Sequence, residues 1–258
     1  MNKEIVYKVE EFIKDYVFNK AHSKGITIGM SGGKDSLIVA KLCAEAIGKE
    51  NVLGVIIPNG KMKDCEIAKK SCEIIGIRYY LIDINTIYNL YIDYIKDIFE
   101  KENVDLSTVT TFNLPPRIRM TLLYSIAGSM NYLVANTSNL SEKEVGYTTK
   151  WGDNVGDFGP IVNFTKSEVC QIGLLLGLPE ELVNKTPEDG LSSQTDEDKL
   201  GFSYSSLDRL IREGKSNEKD YEKILRMHKA SEHKRKGVTE YKNDLYNFFE
   251  NEFEDERE

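Results

Sequence analysis

A chain of 258 residues suits one doubly wound domain or two small ones, and its 40% hydrophobic content is enough for a sizeable core. A formal net charge of −8 argues against a general nucleic-acid or membrane-surface binder, yet leaves room for a local cationic pocket. Cys43, Cys65, Cys72 and Cys170 form no CxxC pair, so a structural zinc site is not expected.

Ile5, Val9, Phe12, Ile13 and Tyr16 recur at helical spacing over residues 3–19. This amphipathic, charged start is no signal peptide, no later run approaches the roughly 18 apolar residues of a membrane span, and a reducing cytoplasm is expected. Ile26-Thr27-Ile28 reads as a first strand and Leu37 to Ile47 as a helix with two apolar columns, Cys43 among its core residues. Val52 to Ile57 is a continuous apolar run, as a buried parallel strand requires, stopped by Pro58-Asn59-Gly60. Helix 63–75, strand Ile77 to Ile82 and helix Asn85 to Lys101 follow. Residues 103–114 lack periodicity and are expected to form a loop, with Pro115-Pro116 at the start of a helix running to Met130. Tyr132 to Ala135 is a fourth strand, and a long loop runs on to Pro160. Thr165 to Gly177 is helical. Residues 184–201 are polar, acidic and Pro/Gly-punctuated, which predicts a mobile loop and suggests a lid over Asn184 to Gly201. Helices near 204–213 and 218–232 precede an acidic tail, 251–258, expected to fray. The β–α alternation predicts one α/β domain over 1–258, doubly wound, with a mostly parallel sheet and helices on both faces.

The chemistry collects in three stretches. Gly29-Met30-Ser31-Gly32-Gly33-Lys34-Asp35-Ser36 joins a strand to a helix, where backbone N–H groups are free to meet an anion. Gly32 and Gly33 permit close backbone approach, and Ser31 and Ser36 add hydroxyls. Asp35 suits a phosphate site only if a divalent cation bridges it to the phosphates. Asp35 after Lys34 rules out a Walker A loop. The second stretch, Asn136-Thr137-Ser138-Asn139-Leu140-Ser141-Glu142, ends another strand and would face the same crevice of a parallel sheet. Glu142 could then join Asp35 on a metal, or the stretch could simply cap a short helix. The third stretch, Gly146 to Asp153 and on through Gly156-Asp157 to Pro160, holds Lys150, the only tryptophan and two aspartates in an unpatterned loop, a make-up usual for functional loops.

The Ser31–Ser36 loop resembles the SGGxDS loop of N-type ATP pyrophosphatases, which cleave ATP between its α- and β-phosphates and adenylate a substrate. Arg117-Ile118-Arg119-Met120, Thr137-Ser138-Asn139, Glu142, Gly146 to Asp153, Gln194 to Glu197 with Leu200-Gly201 and Tyr204, and Ser231 to Arg235 extend the resemblance. From about residue 10 to 236, the chain resembles the NAD synthetases.

That resemblance implies an adenine nucleotide alpha hydrolase-like fold and a ligase that joins ammonia to the carboxylate of deamido-NAD, with ATP as co-substrate and Mg²⁺. It implies ATP phosphates on Gly29 to Ser36, Asp35 and Glu142 as metal ligands, and ATP contacts from Thr137 and Lys166. Arg117, Lys150, Asp157, His233 and Lys234 are implied in deamido-NAD binding, and a homodimer shares that site. Catalytic roles fall to Asp35 and Lys166, with Asp153 a candidate for positioning or deprotonating ammonia. Neither a membrane nor a nucleic acid is an implied partner. The chain departs from the family at Glu188, which stands where an ATP-contacting hydroxyl is usual, and at Pro115-Pro116. About 30 residues precede the ATP loop, too few for a glutamine amidase, so free ammonia is the expected donor unless a separate subunit supplies it. Rival readings are a related ATP pyrophosphatase with another acceptor and a non-catalytic nucleotide sensor.

Overall fold

Four short segments pair into one parallel sheet. The computed structural model describes residues 1–61, 64–184 and 195–241. The strands are β1 (Gly25–Gly29), β2 (Val52–Ile56), β3 (Arg78–Leu81) and β4 (Tyr132–Val134), in spatial order β3-β2-β1-β4. Ile26 pairs with Val52 on one side and with Leu133 on the other, so β1 is central. β2 beside it is buried at every position, which accounts for its unbroken apolar run where a half-exposed strand would alternate. The chain adds β2 and β3 outward on one side and then returns to place β4 on the other. The order therefore reverses between β1 and β4, and a crevice opens beyond their carboxyl ends.

Helices α1 (Lys3–Lys14), α2 (Lys34–Ile47) and α3 (Cys65–Ile75) surround the first half of the sheet. A π-helical turn, Asp15–Lys20, extends α1. Helices α4 (Asn85–Glu102) and α5 (Thr108–Met130) follow β3. Beyond β4 come α6 (Leu140–Val145), α7 (Lys166–Leu175), α8 (Glu180–Val183), α9 (Asp196–Leu200), α10 (Tyr204–Glu213), α11 (Glu218–Ala230) and α12 (Glu232–Arg235). One large core packs Ile13, Ile28, Ile38, Leu42, Cys43 and Ile172 around one sheet face. A second core, built on Leu53, Val55, Ile84 and Ile118, covers the other. A third, Leu200, Phe202, Tyr204, Leu207 and Ile224, joins the C-terminal helices.

Three expectations need correction. Residues 108–114 are helical, and α5 carries Pro115 and Pro116 in its interior. The Ser107 side chain caps its start. The prolines remove the bonds that would reach the carbonyls of Thr111 and Phe112, in an outward-facing turn where Phe112 is exposed. The stretch 184–201 is also not all loop. A reciprocal capping box between Thr195 and Asp198 starts α9, whose Asp196 and Leu200 are buried. Residues 185–194, with Glu188 and most of the suggested lid, lie outside the described residues, as does the tail 251–258. The long loop after β4 is interrupted by α6: in the second stretch, as the capping reading allowed, Asn139 caps α6 and puts Ser141 and Glu142 in its first turn. Among the described residues, no helix is long and apolar enough to cross a membrane.

Candidate active site

The crevice at the β1–β4 switch point holds a cavity of about 410 Å³. Its floor is the β1–α2 loop. Met30 N–H donates to the Val55 carbonyl, which ties the loop to β2. Ser31 Oγ accepts from Gly33 N–H at 3.1 Å and lies 3.2 Å from Ser36 Oγ, which donates to the Gly33 carbonyl. The two serines thus brace the turn. Gly32 has a φ of +81°, and a Cβ there would lie 2.6 Å from the Asp64 carbonyl oxygen. The residue must be glycine for the loop to lie against α3's entrance. The α2 N-terminus has no side-chain cap, so its first N–H groups are available to an anion.

Three charged side chains meet behind this loop. Lys166 Nζ lies 3.0 Å from Asp35 Oδ2 and 2.7 Å from Glu142 Oε1. Asp35 comes from the first turn of α2, Glu142 from α6 and Lys166 from the first position of α7. Lys166 is buried, and burial by itself works against its ammonium. The two carboxylates outweigh it and hold the Lys166 pKa well above the ordinary lysine value. Glu142 is pushed up by burial and then by the Asp35 charge, with Lys166 opposing. Asp35 Oδ1 is buried and has no hydrogen-bond partner. An orphaned carboxylate oxygen beside a second carboxylate fits a hard cation. Mg²⁺ usually takes one or two carboxylates and completes its shell with phosphate and water oxygens.

Of the residues expected at ATP, Gly29, Met30, Ser31, Gly33, Lys34, Asp35, Ser36, Thr137 and Lys166 line the cavity. Gly32 does not; it is packed on Asp64. Asp153 also lines it and accepts from Thr149 N–H at 2.6 Å; burial raises its pKa. The residues expected at deamido-NAD lie elsewhere. Arg117 donates to the Lys150 carbonyl, and Lys150 Nζ lies over the Trp151 ring. Asp157 braces β4, accepting from Val134 N–H at 2.7 Å and from the Tyr124 hydroxyl at 3.3 Å. Lys234 Nζ donates to the carbonyls of Gly146 and Thr148 and lines a smaller cavity of about 250 Å³ beyond that loop. His233 is exposed and lines neither cavity.

Sequence reasoning passed over Arg119, Asn136 and Asp196 as site residues, though all three line the large cavity. Arg119 Nε donates to the Ile57 carbonyl at 2.8 Å, and burial lowers its pKa. Asp196 accepts from the Tyr147 hydroxyl at 3.0 Å. Their signal was position: Asn136 directly follows β4, Arg119 lies two residues after Arg117, and Asp196 opens a capped helix.

The NAD synthase family model matches residues 5–238. The chain belongs to the NAD synthase family. An NH(3)-dependent NAD(+) synthetase of Thermococcus sibiricus is 43% identical over 210 residues, 81% of this chain and 79% of its own length. One from Pyrococcus furiosus is 39% identical over 91% of this chain and 92% of its own. Among solved structures, an NMN synthetase from Francisella tularensis superposes with a TM-score of 0.85 at 32% identity, over 93% of this chain and 98% of that one. An NH3-dependent NAD synthetase from Campylobacter jejuni gives 0.72 at 30% identity, over 94% and 100%. The mostly parallel sheet with flanking helices is the fold expected of this family.

Proposed function

We propose that this chain is an ammonia-dependent NAD synthetase that amidates deamido-NAD at the expense of ATP. The observation that carries the reading is the meeting of Asp35, Glu142 and Lys166 behind an uncapped helix N-terminus at the sheet's switch point. A carboxylate is a poor acyl donor because oxide is a poor leaving group. Its oxygen attacks the α-phosphorus of ATP, the bond to the pyrophosphate oxygen breaks, and an acyl adenylate forms. Ammonia then attacks the acyl carbon, AMP leaves, and a proton is released. Charge grows on phosphate oxygens in the first step. The α2 N–H groups and the Lys166 ammonium are placed to stabilise it. Mg²⁺ held by Asp35 and Glu142 would supply further charge neutralisation there. Asp153 lines the same cavity and, with its pKa raised by burial, is suited to accept a proton from the incoming amine. Thr137 would contact ATP. Arg117, Lys150, Asp157, His233 and Lys234 would serve the dinucleotide outside the large cavity.

The reading includes a homodimer. Ile87, Tyr91, Tyr94 and Ile98 form an exposed apolar stripe on α4, and Val109 and Phe112 are exposed near the start of α5. Such a surface is unusual on a monomer and fits a second copy. Four free cysteines agree with a reducing cytoplasm.

The likeness to an NMN synthetase favours a second acceptor, nicotinic acid mononucleotide, for the same chemistry. One experiment tests both. Purified protein is incubated with ATP, Mg²⁺, ammonium and either acid, and amide and AMP are quantified by chromatography. Deamido-NAD is expected to give NAD and AMP in equal amounts. Product from the mononucleotide alone would move the assignment to NMN synthesis, and no amide from either would refute the ligase reading.

A further inference from the structure

We propose that Asp208 is a positioning residue for Lys166, holding it in register with Glu142. It lies on α10, outside the cavity, and is 7% exposed. One of its carboxylate oxygens accepts from the Ser141 hydroxyl, and the other accepts from Ser167 N–H at 2.8 Å. The Ser141 oxygen in turn accepts from Lys166 N–H at 2.9 Å. A single carboxylate thus fixes the residue before Glu142, the residue after Lys166 and, through Ser141, the backbone of Lys166 itself. One turn earlier on α10, the Tyr204 ring lies 4.8 Å from Lys166 Nζ. The i, i+4 spacing of Tyr204 and Asp208 turns both toward the same lysine, Tyr204 at its ammonium and Asp208, through Ser141, at its backbone.

Helix capping alone does not explain this. Thr165 and Glu168 already form a reciprocal capping box at the start of α7. The Asp208 link is additional, and what it adds is a fixed distance between two helices that each carry one charged member of the site. Lys166 and Glu142 must keep register with each other to within a fraction of an ångström. A displacement of about 1 Å at such a site costs roughly 10²-fold in rate. Asp208→Asn retains size and one acceptor oxygen, but loses the charge and the second acceptor, so the Ser141 hydroxyl and Ser167 N–H can no longer both donate to one side chain.

The inference rests on Lys166 meeting the ATP phosphates, and a double-mutant cycle separates the two ideas. Pyrophosphate release is measured with enzyme in excess for the wild type, Asp208→Asn, Lys166→Met and the double variant, together with ATP binding and thermal melting. Asp208→Asn should lower the rate about 10- to 100-fold while ATP affinity stays within about threefold. On the Lys166→Met background the same change should cost less than about threefold. An equal cost on both backgrounds, or loss of ATP affinity in step with rate, would overturn the positioning role. A fully active Lys166→Met would instead sink the assignment of Lys166. Should Asp208→Asn fail to fold, Ser141→Ala breaks the same link from its other end and must show the same non-additivity with Lys166→Met.

Discussion

Lys166→Met removes an ammonium paired with two largely buried carboxylates at once. The Asp35 and Glu142 side chains are 17% and 16% exposed, and each loses an ion-pair partner at 3.0 and 2.7 Å. Breaking a buried pair by removing one partner costs about 3–5 kcal/mol, because the remaining charge stays desolvated. Some solvent reaches both carboxylates, so the lower end, about 3 kcal/mol, is expected at pH 8. The pH dependence has a definite sign. Burial and the Asp35 charge already raise the Glu142 pKa, and the lysine that opposes them is gone in the variant. A carboxyl whose folded pKa exceeds its unfolded value binds more protons in the native state. Its penalty is therefore full above the folded pKa and fades as pH falls toward the unfolded value. The raised pKa of Lys166 makes its own contribution constant across pH 5–8, since that contribution is lost only as pH rises through the folded value. Urea unfolding in chelator should thus show a larger deficit at pH 8 than at pH 5, and Mg²⁺ at pH 8 should recover part of it. Wild-type stability at pH 8, or an equal deficit at both pH values, would refute the coupled-charge account of this site.

Asp35→Asn should lower pyrophosphate release by at least about 10²-fold with the fold intact, and a near wild-type rate in saturating Mg²⁺ would count against a metal role. Lys150→Ala should weaken deamido-NAD binding in calorimetry and leave ATP binding unchanged, because Lys150 lies outside the large cavity. Gly32→Ala should destabilise by about 1–3 kcal/mol in thermal melts, as a left-handed non-glycine residue with its Cβ against the Asp64 carbonyl. Tyr94→Lys combined with Ile98→Lys should give a monomer in sedimentation velocity if the α4 stripe meets a second copy.

The centre of the sheet was legible because β1 and β2 are buried on both faces and read as short, largely apolar runs bounded by glycine or proline. Helices α10 and α11 were legible from periodicity. The start of α5 was not, because the usual meaning of Pro115-Pro116 is a helix start, and only tertiary context allows the turn before them. Helix α9 was hidden for the opposite reason. Five residues are too few to show a period, and its evidence is the Thr195–Asp198 capping pair within an acidic run.

The site divides along the same line. Asp35 and Glu142 could be inferred from the residues themselves, since each follows a strand that ends at the crevice and each is an acid where phosphate is expected. Lys166 could not. It occupies the first position of an ordinary amphipathic helix, where a lysine reads as a solvated residue, and only the likeness to NAD synthetases singled it out. Its burial follows from contacts that no local pattern encodes: Ser141 at its backbone, Tyr204 beneath its ammonium, and carboxylates 24 and 131 positions away along the chain. Asp208 is more remote still, touching none of the cavity yet bonded to both segments that build it. A motif reports the groups whose backbone meets the ligand. The groups that hold those in register are reported only by the fold, and here they converge on α10.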